Sequence, residues 1–233
     1  MVKIKKGTGH VGVILSFVLF TFFILFMFVV FNPLQIFSKA TSDLGMAETE
    51  ILKNISGEVS IVSIKVNNLP VEPCFYFENP LDSSLPLIVK NENEVVVNAS
   101  RNGLNVYFEK SGDFYNMHYS DELVENELSD TGPCSVLLVG DYSTGFAKSY
   151  EVVPYSKLIN LKNNYNDDYE QLKQELRIKD DFYISITNSP EIIFEEAKPK
   201  PQGVEILAKD VPILILKENA DLNFDKMNLQ VWG

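Results

Sequence analysis

Catalysis needs groups that titrate or attack, and this chain offers few. Of its two histidines, His10 lies before a long apolar run, which leaves His118 as the one candidate general base beyond it. A Ser-His-Asp site would have to be built on His118 within the strand-like stretch 116–119, and no GxSxG occurs anywhere. A structural or exposed histidine is the simpler reading. Carboxylates are more plentiful: Asp121 with Glu122, Glu125 and Glu127; Asp167 with Asp168; Asp180 with Asp181; Glu195 with Glu196. Such pairs serve glycoside hydrolysis or calcium binding elsewhere. Asp221, Asn223 and Asp225 alternate as in a calcium loop, but Lys226 stands where that loop needs glycine and Trp232 where it needs a bidentate acid. The carboxylates therefore read as solvated surface. The 12 glycines form no phosphate-binding loop or dinucleotide fingerprint. The expectation is a protein with no catalytic residue, no metal ligands and no cofactor.

The two cysteines, Cys74 and Cys134, have neither a CxxC partner nor a nearby histidine. In an oxidising compartment a lone pair of this kind is most simply a disulfide, closing a loop of about 60 residues; the alternative is two buried free thiols. Asn54-Ile55-Ser56 and Asn98-Ala99-Ser100 are acceptor sequons for N-glycosylation.

What must position these groups begins with residues 11–31, an unbroken apolar run without charge or proline. At 1.5 Å rise per residue it reaches about 31 Å, the thickness of a hydrocarbon core, and it predicts a single transmembrane helix. Its phenylalanines go all round the helix, as lipid-facing bulk does. Lys3, Lys5 and Lys6 precede it with no acid among them, so the N-terminus is expected in the cytoplasm and the C-terminal part outside, at the cell membrane. The run is longer than a secretory h-region and no small-x-small cleavage pattern follows it, which favours a retained anchor over a cleaved signal. All 32 acidic residues lie beyond residue 31, against all but three of the 20 lysines and arginines, leaving about −15 on the external part. Such a surface repels nucleic acid and anionic headgroups, and neither is expected as a partner.

Past the apolar run the organisation reads as α+β. Residues 1–10 form a cytoplasmic basic segment, 11–31 the transmembrane helix, 32–56 a juxtamembrane amphipathic helix and 57–233 an extracytoplasmic, mainly antiparallel β-rich domain. In the juxtamembrane helix Phe37, Ala40, Leu44, Ala47 and Ile51 are spaced 3, 4, 3, 4, the stripe of a helix packing on an apolar surface. Alternating or short apolar runs predict strands over 58–66, 74–77, 87–89, 95–99, 104–109, 114–119, 135–139, 148–153, 181–186, 192–195, 204–208, 212–216 and 227–232. Arg101-Asn102-Gly103 predicts a hairpin between 95–99 and 104–109, and 148–153 is expected to pair with 135–139. Leu158, Leu161, Tyr165, Tyr169, Leu172 and Leu176 recur at helical spacing, predicting one long amphipathic helix with Ser156 as N-cap and a bend near 164–167. A closing hairpin is expected about 218–221.

Lys3-Ile4-Lys5-Lys6-Gly7-Thr8-Gly9-His10, followed by the apolar run, resembles the class III signal peptides of type IV pilins and archaellin-like proteins. The resemblance implies cytoplasmic cleavage after Gly7, with Thr8 as the new terminus. It also implies a lollipop outline, one long N-terminal helix beneath a β-rich head. Many pilins carry a glutamate five residues into the mature chain, and here that position is Gly12. The expected function is thus structural or adhesive: a pilin-like subunit whose partners are the lipid bilayer through 11–31 and copies of itself or other pilin-like or envelope proteins. The other open expectation is a non-polymerising envelope module of a secretion or surface complex.

Overall fold

The computed structural model describes residues 9–31, 33–81, 84–125, 128, 133–189, 192–195, 198–200 and 202–233, with side chains in the first two helices described over 12–27 and 43–55. Helix α1 (Gly9–Phe31) is followed by α2 (Pro33–Ile55). Proline suits the first turn of α2, where its missing N–H has no intrahelical partner to lose. Among the described residues no helix is long and apolar enough to cross a membrane. This corrects the transmembrane helix expected over 11–31.

The head is built from β1 (Gly57–Val66), β2 (Cys74–Glu78), β3 (Leu87–Asn91), β4 (Val96–Val97), β5 (Ala99–Asn102), β6 (Asn105–Glu109), β7 (Phe114–Tyr119), β8 (Ser135–Val136), β9 (Tyr142–Pro154), α3 (Tyr155–Asp167), α4 (Tyr169–Glu175), β10 (Asp181–Ile186), β11 (Leu207–Leu216) and β12 (Leu222–Trp232). The chain is α+β with strand dominant. Eight strands form one sheet in the order β10-β12-β11-β9-β1-β7-β3-β4, and four form a second, β5-β6-β2-β8. Pairings are antiparallel except β9 with β11 and β2 with β8.

Two large cores follow from this layout, beside a smaller apolar cluster. In one, Val62, Ile64 and Val66 of β1 with Tyr115, Met117 and Tyr119 of β7 face Phe75, Phe77, Val106 and Phe108 of the small sheet. In the other, Ala47, Ile51 and Ile55 of α2 and Leu158, Leu161, Tyr165 and Leu172 of α3 and α4 pack on the β10-β12-β11 end of the large sheet. Gly57 stands where α2 turns into β1, and a Cβ there would lie 2.8 Å from Pro154 Cγ, so the close approach of β1 to the end of β9 requires glycine.

Several expectations need correction. The long helix is two: Asp168 leaves helical conformation at φ −146° and its carboxylate accepts from Gln171 N at 3.0 Å, capping α4. Pro154, not Ser156, precedes α3, and Ser156 Oγ instead donates to Glu122 Oε2 at 3.0 Å. The stretch 95–99 divides between sheets, with Val97 paired to Val89 and Ala99 to Phe108, so the hairpin runs β5 to β6 through Gly103 at φ +61°. The strand after Cys134 does not meet 148–153. Because the disulfide joins Cys74 at the start of β2 to Cys134, β8 is held parallel beside β2, while β9 pairs with β1. Residues 192–195 are not a strand, since Asn166 takes over the ladder's hydrogen bonds, donating to Ile193 O and accepting from Glu195 N. Residues 204–206 lie outside β11.

Candidate functional site

The described face of α1 is apolar and bare. Val13, Phe17, Phe20 and Phe22, at different angles around the helix, are 62 to 71 % exposed. None of its described residues enters a core cluster. Burying such side chains gains roughly 1.5–3 kcal/mol each. Gly12 has open space around the position of a Cβ. Gly7 and Thr8 lie outside the described residues, as do the side chains of Phe37 and Ala40.

The rest of the α2 stripe goes inward. Ala47 and Ile51 are buried in the helical core, Leu44 packs against it, and Ile55 extends the stripe by one turn. Lys209 Nζ on β11 meets Glu48 Oε2 at 2.6 Å beside it. The C-terminal half of α2 is thus fixed to the head, while α1 has no packing partner among the described residues.

The Cys74–Cys134 disulfide is formed, with Cα atoms 4.8 Å apart. Asn54 is exposed in the last turn of α2. Asn98 is exposed where the chain passes between sheets, and its Nδ2, the atom glycosylation would modify, donates to Glu109 Oε2 at 3.0 Å.

The described acidic residues that the sequence singles out go to separate lysine, arginine or turn partners. Asp225 is buried and accepts from Asn188 N, Ser189 Oγ and Lys226 N, so it holds a turn. Asp181 pairs with Lys173 at 2.6 Å and Lys198 at 3.4 Å; partial burial pushes its carboxyl up, but the two ammonium groups hold it below its ordinary value. Glu122 pairs with Lys157 at 2.9 Å and Glu125 with Arg101 at 3.5 Å. Among the described residues no group of three or more histidines, cysteines or carboxylates could hold a metal. Glu127 and Glu196 lie outside them.

One polar cluster was not anticipated. Lys90 is 1 % exposed on β3, and its Nζ lies 2.6 Å from Asp221 Oδ1 in the turn between β11 and β12. His118 on β7, opposite Ile88, is 4 % exposed on the same sheet, and its Nδ1 has no hydrogen-bond partner. Burial, and then the charge of Lys90, push the imidazole down to about 4, so it is neutral at pH 7. The Lys90 hydrogen bond holds the Asp221 carboxyl below its ordinary value. A lysine within the apolar run Leu87-Ile88-Val89-Lys90 was the available signal. Its partner, 131 residues away, left none.

No family model matches this chain, and neither does any curated protein or solved structure.

Proposed function

We propose that this protein is an extracytoplasmic structural or adhesive subunit, pilin-like in organisation, that assembles with copies of itself through α1. The supporting observation is the contrast between the two N-terminal helices. The described half of α2 is docked on the head, whereas α1 presents phenylalanine, leucine and valine outward on all sides. Packing α1 among copies of itself would bury those side chains without altering the head. The acidic part beyond residue 31, at about −15, keeps heads apart from one another and from anionic partners. The disulfide agrees with folding in an oxidising compartment.

A second reading, a non-polymerising envelope module, is favoured by Gly12, which stands where many pilins carry the glutamate that pairs with a neighbouring subunit.

The deciding experiment combines N-terminal sequencing of protein from native cells with electron microscopy of surface appendages. Cleavage to Thr8 and filaments containing this chain support the first reading. An uncleaved start, with all of the protein extracted as monomer by detergent, overturns it in favour of the second. Phe17→Glu with Phe22→Glu should abolish incorporation while leaving the near-ultraviolet spectrum of the head unchanged.

A further inference from the structure

Lys90 and Asp221 are placed for more than an ion pair. Every residue of β3 is buried. Around the Lys90 side of that strand lies a small apolar cluster of Ile88, Val152, Leu216 and Ala220, with Val96 and Leu222 packed against it. At its rim the β11–β12 turn places the half-exposed Asp221 carboxyl, with Oδ1 at 2.6 Å from the buried Lys90 Nζ. The other oxygen, Oδ2, accepts from Asn219 Nδ2 at 2.8 Å. A second carboxylate, Glu94 Oε2, lies 4.0 Å from the same Nζ.

The backbone is strained at this place. Among the described residues three non-glycine positions have positive φ, and two of them flank the pair: Glu94 at +58° and Ala220 at +61°. A left-handed conformation at such residues costs free energy and persists where surrounding structure enforces it, commonly at reactive or switching sites. Ala220 immediately precedes Asp221 in its turn. Glu94 lies in a turn closed by the Asn91 side chain accepting from Asn93 N and Val95 N.

We infer that Lys90 Nζ and Asp221 Cγ become joined by an intramolecular amide bond. The step balances without a cofactor or oxidant. One ammonium proton passes along the 2.6 Å contact to the carboxylate, giving a neutral amine and a neutral acid. The Nζ lone pair attacks Cγ while Asn219 Nδ2 stabilises the charge developing on Oδ2. Glu94 takes a second proton from Nζ and gives it to the departing oxygen. The Cγ–Oδ1 bond breaks and one water leaves through the exposed side of Asp221. Ammonium plus carboxylate has become amide plus water, with no net proton uptake. Amide formation from free acid and amine is unfavourable in water, but fixing both groups in contact supplies an effective molarity on the order of 10⁵ M or more. The product ties β3 to the β11–β12 hairpin across 131 residues, a covalent brace within the head.

Mass spectrometry of the reduced, digested full-length protein tests this directly. The expected result is one peptide pair containing Lys90 and Asp221, linked and lighter by one water, about 18 Da. Asp221→Asn should form the same link with loss of ammonia, about 17 Da, and Glu94→Gln should leave most chains unlinked. Lys90→Arg keeps the ion pair and must show no link. Unlinked Lys90 and Asp221 peptides throughout the wild-type protein would overturn the inference, as would a water loss that persists in Lys90→Arg.

Discussion

The Tyr169 hydroxyl pairs with Phe182 as a neighbouring strand would, accepting from Phe182 N at 2.8 Å and donating to Phe182 O at 3.3 Å. Tyr165 Oη adds a second donor to the same carbonyl at 2.9 Å, and both rings pack on Phe182. The outer edge of β10 is thereby closed by α3 and α4. Tyr169→Phe keeps the packing but orphans a buried N–H, which costs roughly 1–3 kcal/mol. Urea unfolding should show the loss, and Tyr165→Phe should cost less because Phe182 O retains Tyr169.

The helical core depends on α2. Ile51 is fully buried against β11, β12 and α3. Ile51→Ala should lower stability by about 2–5 kcal/mol and loosen the hold of α2 on the head. Limited proteolysis between α2 and β1 is the sensitive measurement.

Acid should weaken the fold through His118. Its folded-state value, about 4, lies below the unfolded value of 6.5, so the unfolded chain binds the proton more readily. The contribution is complete above pH 6.5 and is lost as pH falls through 4, amounting to roughly 3 kcal/mol. Denaturation midpoints measured between pH 7 and 4 should fall, and His118→Phe should flatten that fall.

The disulfide holds β8 beside β2 and closes a loop of 60 residues. Replacing both cysteines by serine should cost about 4 kcal/mol, read as a drop in Tm, with the core between the two sheets affected before the α2 core.

At the break between α3 and α4, Asp168→Ala removes the acceptor for Gln171 N and should cost about 1 kcal/mol. Asp168→Asn, which can still accept, should recover most of it in the same thermal melt.

Local chemistry determined much of this protein. Alternation over 58–66, the spacing from Leu158 to Leu176 and the turn about 218–221 each report burial on one face, and a face is a local property of the chain. The same logic marked Leu44, Ala47 and Ile51 as a packing stripe and Cys74 with Cys134 as a pair. The uncharged, proline-free apolar run 11–31 predicts a membrane span, yet no described helix meets that requirement. Tertiary structure decided which strands meet: Val97 and Ala99 belong to different sheets, and β9 lies on β1 instead of beside β8. It alone brought Lys90 to Asp221 and buried His118. Pairing across a sheet follows from how distant segments share a buried face, and no local period encodes a partner 131 residues away.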